Sequence, residues 1–181
     1  TSSSGALDLT SVIQASQALA GEIVLDKLLK KLMQILIENA GAQRGFLILK
    51  EENSWSIEAK GIIDGDDFAI LQSIPVDSID STQTPLLSKA IVNYVARTQE
   101  NIVLNDATNE GQFIRDPYII DNQPKSILCS PLLNQGKPIG ILYLENNVTT
   151  GAFTSERIEI LTILSAQAAI SIESSRLYSQ L

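Results

Sequence analysis

From Lys125 to Leu181 the chain reads, without a break, as strand, tight turn, strand, short loop and long helix. Lys125–Leu133 (KSILCSPLL) and Pro138–Asn146 (PIGILYLEN) have the apolar character of strands. Between them Asn134-Gln135-Gly136-Lys137 has turn chemistry, so the two strands pair antiparallel. Asn147–Phe153 is a loop, and Thr154 starts a helix whose pattern runs to the last residue. The rest of the chain has to be built around this hairpin and its helix.

Upstream, Leu9, Val12, Ile13, Ser16, Leu19 and Ile23 recur at helical spacing and predict an amphipathic helix over 7–20, broken by Gly21. Leu25, Leu28, Leu29, Leu32, Ile35 and Leu36 form the stripe of a second helix that stops near Asn39–Gly41. Gly45–Leu49 is a short apolar run of strand length. Trp55, Ile57 and Ala59 alternate with polar neighbours, giving a second strand joined to the first through Glu51–Asn53. Phe68–Val76 reads as a third strand after the acidic turn Asp64-Gly65-Asp66-Asp67, which lacks the ligand spacing of a calcium loop. Pro85 is expected to open a helix carrying Leu86, Leu87, Ala90, Ile91, Tyr94 and Val95, and Asn101–Leu104 to be a short strand. Asn105–Pro124 has no clear period, and loops this long in a compact domain are commonly functional. Strands joined mostly by hairpins, with helices grouped beside them, place the chain in the α+β class with a largely antiparallel sheet.

The composition narrows the chemistry. At 181 residues, 44% hydrophobic and 19% charged, the chain is long enough for one self-sufficient core. Its net charge of −8 argues against nucleic acid as a partner. No apolar run approaches the roughly 20 residues of a membrane span, so no membrane partner is expected. A single cysteine and no signal-peptide pattern fit a cytoplasmic protein, and the Asn147-Val148-Thr149 sequon reads as an ordinary loop. There is no histidine, which removes His-based metal, haem and nucleophile chemistry. No metal site, no cofactor and no catalytic residue is assigned. An enzyme working through carboxylates such as Asp106, Asp116 or Glu145 finds no paired acid–base motif in support. Residues 1–6 read as a linker or expression remnant and 7–181 as one domain, a segment of a longer protein.

The last hairpin predicts which side chains share a face. With Gln135-Gly136 as a two-residue turn, Asn134 pairs with Lys137, Leu132 with Ile139, Ser130 with Ile141, Leu128 with Tyr143 and Ser126 with Glu145. Cys129 then falls with Ile127, Leu133, Gly140 and Leu144 on an apolar face, expected to lie under helices, with Gly140 admitting one closely. The opposite face carries Ser126, Ser130, Tyr143 and Glu145, whose polar groups need partners if covered. These four, with Asp106, Arg115, Asp116 and Tyr118 from the long loop, are the candidate ligand-binding residues. The plainer readings stand beside this: Cys129 as a buried small hydrophobe, Arg115-Asp116 as a local ion pair or cap, and Tyr143 and Glu145 as partners of the loop alone.

The last helix is apolar on two sides. Ile160, Ile163, Gln167, Ile170, Ser174 and Leu177 recur at alternating steps of three and four; Leu161, Leu164, Ala168 and Ile172 make a second stripe. One stripe belongs on the sheet. The other, through Ile160, Ile163, Gln167, Ile170 and Leu177, is expected to form a homodimer interface, unless the first helix fills the same groove.

Gly136–Asn146 (GKPIGILYLEN), followed by Phe153-Thr154 and by Leu161, Leu164 and Gln167–Glu173 (QAAISIE), resembles the C-terminal half of a GAF domain, and the element order from Leu25 to Tyr178 is similar throughout. The flavour is like GAF sensors of cyanobacterial multi-domain histidine or Ser/Thr kinases. The resemblance implies a six-stranded antiparallel sheet, with both terminal helices and the second helix on one face. A roof of loop and short helix would cover the other face over a small-molecule pocket. It also implies a covalently linked kinase or other output domain. Bilin and haem fit badly, because Cys129 is followed by Ser130 and there is no His. The cyclic-nucleotide motif is not found, and one cysteine is too few for methionine-sulfoxide reduction. The function expected is therefore a regulatory sensor that binds an unidentified small molecule or partner and relays it through terminal helices. The alternative is a dimerisation module that binds no ligand.

Overall fold

The computed structural model describes residues 12–62, 69–76 and 85–180. Residues 12–20 are helical (α1), followed by α2 (Leu25–Ala40), β1 (Arg44–Glu51), β2 (Ser54–Ile62), β3 (Ala69–Pro75), α3 (Lys89–Thr98), β4 (Ile102–Leu104), α4 (Pro117–Asn122), β5 (Ser126–Asn134), β6 (Lys137–Asn146) and α5 (Ser155–Ser179). The acidic turn at 64–67 and the start of the first helix lie outside the described residues.

Among the described residues one sheet runs in the order β3-β2-β1-β6-β5-β4, with every neighbouring pair antiparallel. Five of the strands are seven to ten residues long, and β4 is a three-residue edge. The α+β class and the antiparallel sheet are as expected. Four of the five pairings join strands that follow one another in the chain, and β6 returns to pair with β1 in the centre.

Two apolar cores lie on the two sides of the sheet. On one, Val12 and Leu19 of α1, Leu28, Leu32 and Leu36 of α2, and Leu161, Leu164, Ala168 and Ile172 of α5 pack on Leu47, Leu49, Leu128, Leu132, Leu142 and Leu144. On the other, Ile91, Val92 and Val95 of α3, Ile119 of α4 and Phe113 of the preceding loop cover Phe46, Ile48, Ile57, Ile127, Cys129, Ile141 and Tyr143. Strand side chains alternate between the two, as period-2 geometry requires.

That alternation corrects the expected faces of β5. Asn134 does pair with Lys137, but the register slips between Leu132 and Leu133. Leu132 is opposite Gly140, Ser130 opposite Leu142, Cys129 opposite Tyr143 and Leu128 opposite Leu144. Ile139 is the extra residue of a β-bulge. It follows Pro138, which has no N–H to give to the ladder. A slip of one residue exchanges the faces of the whole strand. Cys129 and Ile127 therefore sit on the α3/α4 side with Tyr143, and Leu128, Leu132, Ser126 and Ser130 belong to the side of the long helices.

Gly140 is corrected as well. A Cβ there would stand 2.6 Å from the Ile48 carbonyl oxygen and 2.9 Å from Leu49 Cδ2, so the glycine makes room for β1 rather than for a helix. Gly45 makes room for both: a Cβ on it would lie 2.6 Å from Leu144 Cδ2 of β6 and 3.1 Å from Met33 Cε of α2. The helix expected from Pro85 begins four residues later, because Ser88 is extended and its Oγ accepts from the Ile91 N–H at 3.3 Å as the N-cap. Within 105–124 the structure adds α4, with Asp116 as N-cap and Pro117 in its first turn.

Among the described residues no helix is long and apolar enough to cross a membrane. The crowding at Gly140 gives a direct expectation. Gly140→Ala forces a methyl against a backbone carbonyl and should lower stability by about 2 kcal/mol, measured by urea denaturation. A change within the error of the melt would mean that β1 and β6 can spread without loss.

Candidate functional site

The β1–β6 pairing puts Arg44 directly opposite Glu145. Opposite charges facing each other across a ladder attract, but this pair is unusual in its depth. Glu145 is fully buried, and Arg44 keeps 23% of its side-chain surface. Arg44 Nε stands 3.3 Å from Glu145 Oε2, outside hydrogen-bond alignment, while its Nη2 donates to the Leu86 carbonyl at 2.9 Å. The guanidinium also lies 5.0 Å over the Phe46 ring.

Two tyrosines complete the environment of the carboxylate. Tyr118 of α4 donates from its hydroxyl to Glu145 Oε2 at 2.7 Å, and Tyr143, two residues before Glu145 on the same strand face, donates to Oε1 at 3.2 Å. The Tyr143 hydroxyl in turn accepts from the Ser88 N–H at 3.3 Å, at the start of α3. Both phenols are almost wholly buried. One carboxylate therefore ties together β1, β6, α3 and α4, with each oxygen satisfied.

Burial pushes the Glu145 carboxyl up from its ordinary value, against the opposing pull of the Arg44 charge and the two tyrosine hydrogen bonds. Burial, then the nearby Glu145 charge, raises both tyrosine hydroxyls, so both stay protonated donors. Burial alone raises the Cys129 thiol, which is an inert core group.

Tyr118 also lines a cleft of about 370 Å³ between α3 and α4, with Pro85, Leu87, Lys89, Ala90, Asn93, Asp116 and Pro117. Tyr118, one of the residues lining the cleft, bonds Glu145 through its hydroxyl. A second cleft, about 380 Å³, sits at the far end of the sheet against α5. Its polar side chains are largely paired with one another: Glu173 takes Asn134 at 2.5 Å and Lys137 at 3.3 Å, and Arg176 donates to the Lys50 carbonyl at 2.9 Å.

The structure thus brings together Tyr143, Glu145 and Tyr118, with Asp116 beside them. Asp116 accepts from the Tyr118 N–H at 3.2 Å as the cap of α4, the local reading given to it from sequence. Arg115 is exposed on the loop. Asp106 folds its own turn, accepting from Thr108 and Asn109. Ser126 and Ser130 are removed from this group by the bulge. Ser126 Oγ donates to the Thr149 carbonyl at 2.6 Å, and Ser130 Oγ to Asn101 Oδ1 at 2.8 Å. Arg44 and Ser88 were missed. The signal for Arg44 was a lone charge at the head of the apolar run Gly45–Leu49; Ser88 acts through its backbone and left none.

The GAF domain family model matches residues 24–172. The chain is a GAF domain. Hybrid signal transduction histidine kinase G of Dictyostelium discoideum is 28% identical over 96% of this chain, and the peroxide stress-activated histidine kinase mak3 of Schizosaccharomyces pombe is 28% identical over 92%. The chain spans 8% and 7% of those proteins. A probable 3',5'-cyclic phosphodiesterase, pde-5 of Caenorhabditis elegans, is 25% identical over 94% of the chain, which spans 23% of it. Among solved structures, the GAF domain of an Acinetobacter phosphoenolpyruvate-protein phosphotransferase superposes with a TM-score of 0.71 at 16% identity, covering 94% of this chain and 95% of that one. Free methionine-R-sulfoxide reductase of Neisseria meningitidis superposes with 0.66 at 17%, covering 98% and 95%. These structures share the fold. The GAF family is one of regulatory sensor modules, homologous here to domains of histidine kinases and a phosphodiesterase.

Because the folded GAF domain holds the Glu145 proton more tightly than the unfolded chain does, protonation stabilises the fold. That contribution is complete below the ordinary carboxyl value of 4.5 and is lost as pH rises through the higher folded value. Glu145→Gln cannot titrate. The stability of the natural protein relative to Glu145→Gln should therefore fall as pH is raised above 4.5, followed by urea melts at a series of pH values. A difference independent of pH would mean that Arg44 and the tyrosines offset burial completely.

Proposed function

We propose that this GAF domain senses a small molecule at the cleft between α3 and α4 and passes the bound state to an attached output domain through α5. The observation that carries this is the buried Glu145 carboxylate held by a hydroxyl of the roof, Tyr118 Oη at 2.7 Å. A roof fixed to the sheet by few polar bonds can exchange them for bonds to a ligand. The ligand then shifts the balance of two arrangements by its difference in affinity for them.

A contiguous set of bonds leads from Glu145 toward α5. The Glu145 carbonyl accepts from the Gln43 N–H at 2.8 Å, and Asn146 Nδ2 donates to the Gly41 carbonyl at the end of α2 at 2.8 Å. Asn146 Oδ1 accepts from the Val148 and Thr149 amides at 2.9 Å each. Ser126 holds Thr149 and Ala152, and Arg157 in the first turn of α5 donates to the Ala152 carbonyl at 2.5 Å. Histidine kinases are the output most in keeping with the two relatives above, in the cytoplasm.

Native against denaturing mass spectrometry of gently purified protein tests the sensor reading. A molecule retained natively and lost on denaturation is expected. A bare mass, with no thermal shift across nucleotide and metabolite panels, would remove the ligand and leave the dimerisation reading.

That second reading has its own support. Ile163, Ile170 and Leu177 lie seven residues apart along α5 and are 52%, 47% and 60% exposed, while Leu161, Leu164, Ala168 and Ile172 are buried in the core. A repeat of seven on one helix face suits pairing with the same helix of a second copy, with Ile160 and Gln167 beside the seam. Ile170→Glu should convert a homodimer to monomer in sedimentation velocity. A natural protein that is monomeric at high concentration would count against the interface.

A further inference from the structure

Tyr118 stands between the α3–α4 cleft and Glu145. It lines the cleft, and its hydroxyl reaches Oε2 at 2.7 Å. The groups behind it are balanced in charge: the Glu145 carboxylate has the Arg44 guanidinium 3.3 Å away. The lining of the cleft carries one group of each sign, Lys89 and Asp116. A charged molecule taking the place of the phenol would add a net charge to a buried pair that is already neutral, which is disfavoured. An anion would face Glu145 directly; a cation would meet Glu145, but with Arg44 already paired to it one positive charge would be left in excess.

The group already in place shows what the position accepts. It is uncharged and planar, with an apolar body and one donor. Pro85, Leu87, Ala90 and Pro117 offer apolar walls to a body of the same kind. The segment carrying Tyr118 is short: α4 has six residues, is capped locally by Asp116 and buries only Tyr118 and Ile119, so few contacts hold it over the sheet.

Resting on the ligand-site reading above, we propose that the ligand is an uncharged planar molecule with an N–H or O–H donor that displaces Tyr118 from Glu145. Tyr118 is then a built-in competitor: the empty domain occupies its own site, and ligand binding is coupled to release of α4. An apolar molecule without a donor is disfavoured as well, since displacement would leave a Glu145 oxygen short of a partner.

Three probes with one body and different charge test this: 4-methylphenol, 4-methylbenzoate and 4-methylbenzylammonium. Titrated into nitrogen-15-labelled protein, 4-methylphenol is expected to shift the amides of 88–91 and 117–122 saturably. The charged probes should bind at least roughly tenfold more weakly. Tyr118→Phe keeps the ring and removes only the hydrogen bond, and should bind 4-methylphenol roughly tenfold tighter because release of α4 is easier. Equal affinity in the two proteins would overturn displacement. A charged probe binding the same amides as well as 4-methylphenol would overturn the ligand class and keep the site. If no probe shifts these amides in either protein, the site falls too. The comparison of charges needs only the natural protein, so it stands even if Tyr118→Phe does not fold.

Discussion

Glu145 is a carboxylate with no exposed surface, and much of the structure around it follows from that one fact. Removing an ionised carboxylate from water costs several kcal/mol unless partners replace the water. Here three side chains from three elements do so: Arg44 from β1, Tyr143 from β6 and Tyr118 from α4. The register of β1 against β6 fixes the first, strand alternation fixes the second, and the fold of the 105–124 segment supplies the third. Through the Ser88 amide the same group reaches the start of α3. The roof of this GAF domain is thus held to its sheet by apolar packing and by the polar knot around Glu145.

The two sides of the sheet differ in kind. The side under α1, α2 and α5 is almost wholly aliphatic, a packed layer in which shape decides. The α3/α4 side mixes aliphatics with Phe46, Phe113, Tyr118 and Tyr143 and encloses the charge. β6 belongs to both, with Leu142 and Leu144 turned one way and Tyr143 and Glu145 the other. β1 and β5 alternate in the same way, so the two sides meet across the central strands. The turn that follows β6, pinned by Asn146 and Ser126, joins that strand to α5.

Much of this was legible in the residues. Hairpins and apolar periods gave the α+β class, the antiparallel sheet and both long helices, because these depend on local pattern and turn chemistry. The GAF resemblance of Gly136–Glu173 is carried by the same local features. Tyr143 and Glu145 were readable as site residues because polar groups inside an apolar strand need partners. Tyr118 was readable only as one of several polar residues in a loop. Asp106 and Asp116, of the same chemical type, turned out to serve their own turn and cap. Side chains of Asp and Asn satisfy nearby amides so readily that a loop rich in them does not say which reach inward.

The sequence by itself determined which segments are strands and helices, and that an acid ends the last strand among apolar neighbours. Tertiary structure decided what that acid meets. A bulge at Ile139, beside Pro138, moved Ser126, Ser130 and Cys129 across the sheet. The return of β6 to pair with β1 set Arg44 against Glu145 across about a hundred residues of chain. A period of two is written in the chain, but its phase depends on where one extra residue is accommodated. Long-range pairing depends on the packing of both layers at once. Both are properties of the assembled sheet, not of any segment read alone.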